Sequence, residues 1–189
     1  MANLTAVQVE TDVDLLMSCL AANHREIPSA ASLMKRSSAL PLFAAMLSFF
    51  SCVIFYVSFH KEQSSVEGFL NFFTYQGWYL VAITTGIGLF VFLMTYNNQI
   101  TYLSLPSDVR NKSLIVSHLG KIVRKSVITF CSLMIVSSLL SGISVWFALA
   151  VPALLLALFV VTSIVVSSEI NRLGAGLALE KISSLIKKI

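Results

Sequence analysis

From Ser126 to Ser168 the chain runs for 43 residues without an Asp, Glu, Lys, Arg or His. As one helix this stretch would be about 65 Å long at 1.5 Å per residue. That is roughly twice the ~30 Å hydrocarbon thickness of a bilayer. It therefore reads as two spans folded back on each other, with Ser141, Gly142 and Ser144 at the fold and Trp146 beside them. The mean hydropathy is +0.85, with 57% hydrophobic and 12% charged residues. These values lie outside the soluble globular range, because a water-soluble fold could not cover so much apolar surface. The fold class that follows is an all-α integral membrane protein with four transmembrane helices and amphipathic helices at both cytoplasmic ends.

The four spans fall at about 39–59, 78–96, 126–141 and 146–168. Residues 1–38 form a polar N-terminal extension. Thr11, with Asp14 three positions on, reads as a capping-box-like start, and Val13, Leu16, Met17 and Leu20 then line one face at i, i+3, i+4 and i+7. Val7 and Val9 extend that helix backwards, with Glu10 and Asp12 near its positive end. Pro28 breaks the pattern, and Ser29 restarts a second helix that Lys35 and Arg36 hold at the membrane surface. The pair reads either as an amphipathic cover on the bilayer and the protein's own loops, or as a partner-binding element.

In span one, Pro41 is placed in the first turn, where a missing N–H costs least. Ala44, Ser48 and Cys52 repeat at i, i+4 and i+8, the small-residue groove that lets helices approach closely in lipid. The connection from His60 to Gln76 is rich in aromatics. Phe69, Phe72 and Phe73 share a helical spacing, as a segment lying flat on the lipid would, and with Tyr75, Trp78 and Tyr79 they suggest an interfacial belt. In span two, Thr84, Thr85, Gly86 and Gly88 read as helix packing rather than as a substrate contact or hinge, since nothing charged accompanies them.

The loop 97–125 is the most basic one. Ser107, after Pro106, is the expected cap of a basic amphipathic helix whose Lys121, Arg124 and Lys125 rest on anionic headgroups. His118 has no His or carboxylate at i±3 or i±4 and reads as a surface residue. In the hairpin, Ser138 and Gly142 on span three face a matching small pair, Ala153 and Ala157, on span four, just after Pro152. The tail 169–189 is amphipathic and basic, ending with Lys187 and Lys188. Ser168 marks either a bend or the middle of a continuous helix.

Lys and Arg divide 12 on one side of the four spans and one on the other. The positive-inside rule then places both termini in the cytoplasm, and the net charge of +4 reads as membrane-surface charge rather than a nucleic-acid footprint. Pumps and coupled transporters generally need an ionisable group within the membrane, and the spans contain none. His24, His60 and His118 lie outside the spans, and no P-loop, HExxH or dinucleotide fingerprint occurs. Cys19, Cys52 and Cys131 have no ligand spacing. The chain therefore reads as a non-enzymatic interaction protein with no cofactor and no metal. A channel or transporter component and a structural subunit of a membrane complex are the competing readings. The small-residue grooves serve packing within the chain and between copies equally well.

Chain size, the charged start, the four spans with both ends inside and the basic tail Ser-Ser-Glu-Ile-Asn-Arg-Leu-Gly-Ala-Gly (Ser167 to Gly176) together resemble the entry (surface) exclusion proteins of F-like conjugative plasmids, the TraS group. The resemblance implies residence in a bacterial inner membrane, a role in blocking redundant plasmid transfer, and recognition of a TraG-like mating-pair stabilisation protein from the donor. It implies no site residues. The candidates for recognition come from the chain itself: the N-terminal helix with Val13, Leu16, Met17 and Leu20, or the aromatic connection with Phe69, Phe72 and Phe73.

Overall fold

The computed structural model describes residues 5–21, 27–60 and 65–174, which are helical almost throughout and contain no strand among the described residues. The helices are α1 (Ala6–Ala21), α2 (Ala30–Phe59), α3 (Val66–Phe72), α4 (Trp78–Leu103), α5 (Ser107–Lys112), α6 (Leu114–Leu140) and α7 (Val145–Arg172). A π-helical turn, Phe73–Gly77, joins α3 to α4. Four stretches are long and apolar enough to cross a membrane: Ala30–Phe59, Val66–Leu103, Leu114–Leu140 and Val145–Arg172. By length and composition these are the helices of a multi-pass membrane protein.

Several helix ends differ from the sequence expectation, each for a local reason. Thr5, not Thr11, starts α1: its backbone N–H donates to Gln8 Oε1 at 3.0 Å, and its Oγ1 accepts from Gln8 N at 3.4 Å. That is a capping box six residues earlier. Thr11 is interior, donating its hydroxyl to the Val7 carbonyl at 2.8 Å. The second N-terminal helix and span one are one element, α2, so Pro41 is an interior residue. The aromatic connection is helix rather than loop, since the π turn lets α3 run on into α4. Pro106 takes the N-cap of α5, which makes Ser107 the first helical residue. The basic segment and span three are likewise one helix, α6, and α7 runs through Ser168 to Arg172 before Gly174 turns the chain at φ 67°. Glycine bears that left-handed conformation without a Cβ penalty.

The chain divides into two compact units: Met1–Met34 with Tyr96–Lys125 and Val161–Ile189, and Lys35–Thr95 with Ser126–Val160. In the second unit Ala44, Val91, Met134, Leu155 and Leu158 form a buried cluster, with Leu47, Ile87 and Phe130 packed around it. On α7 the buried residues Ala148, Val151, Pro152, Leu155 and Leu158 follow the helical period and define one inward stripe. The reverse faces are apolar too, and less than a third of each apolar window is buried within the chain.

The first unit has two small clusters. Leu16 and Leu105 pack with Met17, Val109 and Val116, and Val9 and Ile115 pack with Val13, Leu119 and Leu173. Burying a side chain such as Leu16 or Ile115 contributes about 1.5–3 kcal/mol. Apolar burial therefore attaches α1 through only a few residues.

Candidate functional site

The most constructed polar arrangement lies in the first unit, where α1 meets the start of α6. An α-helix begins with backbone N–H groups that have no partner inside it. In α6 these are satisfied from outside. Asp12 Oδ1 accepts from Leu114 N at 3.2 Å, Asp12 Oδ2 accepts from Ile115 N at 2.9 Å, and the Ser113 Oγ accepts from Val116 N at 3.2 Å. The Ser113 hydroxyl in turn donates to Asp12 Oδ2 at 2.7 Å. Asp12 is 6% exposed and Ser113 fully buried. Burying a carboxylate is expensive unless it is fully bonded, and here charge-assisted bonds and the positive end of the helix meet that requirement. Sequence reading placed Asp12 at the start of its own helix. It serves another helix instead.

A second group joins α6 to α7. His118 Nε2 lies 2.8 Å from Glu169 Oε1, and Arg172, one turn further along α7, also bonds that carboxylate. Glu169 is the first ionisable residue after the charge-free stretch. The His118 hydrogen bond, followed by the Arg172 charge, holds its carboxyl below the usual carboxylate range against the opposing effect of burial. His118 thus has a carboxylate partner, supplied by a helix 51 residues away and so invisible to local spacing.

The second unit carries a set of buried hydroxyls. Thr84 donates to Leu80 O at 2.8 Å with Ser48 Oγ at 3.0 Å, and the Ser51 and Ser138 hydroxyls lie 3.0 Å apart. Ser141 Oγ sits 2.7 Å from Ser138 O and 3.1 Å from Ser51 O, while Ser137 donates to Phe147 O at 2.7 Å across the hairpin. Cys52, fully buried, donates its thiol to the Gly77 carbonyl of the π turn at 3.4 Å. These groups hold α2 against α4 and α6.

Of the small residues, Ala44, Ser48, Cys52 and Ser138 are buried, and Gly88 packs on Pro41 so closely that a Cβ would lie 3.3 Å from the Pro41 Cβ. A Cβ on Gly142 would lie 2.5 Å from Ser58 Oγ. Gly86 faces outward with nothing near it, and Ala153 is exposed, with Ala157 half-buried. The reason is angular. Gly86 is two residues from Gly88 and Thr84, about 200° around the helix, and Ala153 lies off the stripe set by Val151, Pro152 and Leu155.

The recognition candidates are likewise engaged within the chain. Leu16 is buried against Leu105, Val13 and Met17 are half-buried, and Leu20 lies in α1, with its side chain outside the described set. Phe69 and Phe73 pack edge-on against Phe49 with ring centroids 6.1 and 5.7 Å away, and Phe72 packs with Phe55 and Tyr56. Lys35, Arg36, Lys121, Arg124 and Lys125 are exposed. Lys187 and Lys188 lie outside the described residues, as does the tail from residue 175. Among the described residues no group of three His, Cys, Asp or Glu side chains comes together as a metal ion would need. Comparison with protein-family models, curated proteins and solved structures finds no match.

Proposed function

We propose that this is a multi-pass protein of the bacterial inner membrane, with both termini cytoplasmic, that acts through protein contacts rather than by catalysis or transport. The observation that carries the reading is the character of the second unit. Its helices bring together hydroxyls and a thiol bonded to one another and to backbone carbonyls, and no Asp, Glu, Lys, Arg or His occurs in 40–59, 78–95 or 126–160. A proton- or ion-coupled step has no group on which to act there. The exposed apolar faces favour a lipid surround, since in water they would far exceed the patch size a monomer tolerates. The distribution of Lys and Arg, 12 to one, favours the orientation. Lys121, Arg124 and Lys125 then meet anionic headgroups.

Within that class, the layout resembling the TraS group favours entry exclusion as the particular role: recognition of a TraG-like donor protein and refusal of redundant plasmid transfer. The test is a mating experiment with recipients that do or do not express the protein. Expression should lower transfer frequency while the recipient's membrane potential stays intact. Unchanged transfer would sink the exclusion role.

A further inference from the structure

We infer that α1 is the built-in occupant of a helix-binding groove at the α5–α6 corner, and that an outside partner for this groove is an amphipathic helix with a carboxylate inside its apolar stripe. The inference rests on the reading that the protein works through protein contacts. The attached face of α1 has Val9, Asp12 and Leu16 buried at i, i+3 and i+7 with Val13 and Met17 half-buried beside them, while Val7, Glu10, Thr11, Asp14 and Leu15 are exposed. Beneath Leu16 the floor is Leu105, Val109 and Val116, and beneath Val9 it is Ile115, Leu119 and Leu173. Between these apolar halves the first turn of α6 aims three donors, the Ser113 hydroxyl and the N–H groups of Leu114 and Ile115, at one carboxylate.

A helix held by an apolar stripe alone can slide by a turn at small cost. A carboxylate at its centre forbids sliding, because every other register leaves a buried charge without donors. Docking is then specific in register and all-or-none. Without α1, the corner would present an apolar groove whose centre is the positive end of a helix with aimed N–H groups. The segment that fits is the pattern α1 itself carries, an apolar residue, a carboxylate three positions on and a second apolar residue four beyond that. This is helix-in-groove recognition, and α1 competes with any outside helix at the high effective concentration of a tethered ligand.

The experiment uses the full chain in lipid nanodiscs and, as probe, a fluorescent peptide of residues 5–21. Hydrogen exchange should show that Asp12→Ala loses protection over residues 6–21 and keeps it over 126–140. The peptide should bind Asp12→Ala about tenfold or more tighter than wild type, and a peptide carrying Asp12→Ala should bind it about tenfold or more weaker. The inference is overturned if α1 stays as protected as in wild type, if α1 is released but no peptide binds, or if both peptides bind alike. Should Asp12→Ala lose protection throughout, the isosteric Asp12→Asn is read in the same way. Loss throughout in both variants would make α1 part of the core and end the proposal. Plasmid transfer does not enter these readouts, so failure of the exclusion role is scored separately.

Discussion

Asp12 and Ser113 are 101 residues apart in sequence, and their side-chain oxygens lie 2.7 Å apart, buried, at the start of α6. The pair converts a helix end that needs partners into the anchor of a different helix. Its two halves are not equivalent. Removing Asp12 frees N–H groups that water can reach once α1 loosens, whereas removing the Ser113 hydroxyl leaves a buried carboxylate short of a donor. Ser113→Ala, which leaves the carboxylate its two backbone donors, is expected to cost about 1–3 kcal/mol of α1 docking, and Asp12→Ala, which removes all three bonds, at least as much. Hydrogen exchange of α1 amides in the purified protein measures both. A Ser113→Ala variant as protected as wild type would contradict the assignment.

The two glycines of α4 differ in what surrounds them. Gly88→Val drives a branched side chain into Pro41, 3.3 Å from the added Cβ, and is expected to destabilise the second unit by about 1–3 kcal/mol. Gly86→Val points into open space and should change stability by less than about 0.5 kcal/mol. Unfolding in mixed detergent micelles separates them. Equal effects would show that α2 and α4 do not meet as described.

Ser51 and Ser138 contact each other and the Leu47 carbonyl. Interhelical hydroxyl bonds in membrane proteins contribute modestly, about 0.6 kcal/mol on average. Ser51→Ala and Ser138→Ala should each cost on that order, and the double variant less than their sum. Strict additivity in the same unfolding assay would argue that the hydroxyls act independently.

The fold-back at residues 141–144 is legible in the sequence because a charge-free run of 43 residues has few alternatives. The helix ends are less legible. Serine and threonine are plentiful enough that Thr11 and Ser107 looked as good as Thr5 and Ser113, and cap choice depends on what packs beside each end. The T-x-x-Q start at Thr5 was a local signal available to be read. The roles of Asp12 and His118 had none, since their partners lie 101 and 51 residues away. The aromatic segment from Phe69 to Tyr75 looked like a connection because charge precedes it, although its helical period agrees with α3.

Glu169 makes stability depend on pH with a definite sign. Its carboxyl titrates lower in the folded protein than in the unfolded chain because His118 and Arg172 favour the charged form. Its contribution is present above the ordinary carboxylate range and is lost as pH falls through the lowered folded value. Thermal melts between neutral and acid pH should lose less for Glu169→Gln than for wild type. Parallel curves would remove Glu169 from the pH response.

Orientation is open to chemical labelling. In a background without Cys19, Cys52 and Cys131, Ser144→Cys at the hairpin turn should react with an impermeant maleimide in intact spheroplasts, and Asn111→Cys in α5 only after permeabilisation. The reverse pattern would invert the topology.

The central claim is that the apolar part of the helix bundle, with no Asp, Glu, Lys, Arg or His in 40–59, 78–95 or 126–160, is a scaffold and that the protein works by contact. Flux through liposomes containing only this protein tests it most directly. Proton and potassium flux, with and without an imposed potential, should match protein-free liposomes. Flux that rises with the amount of protein inserted would contradict the account and establish a channel or transporter.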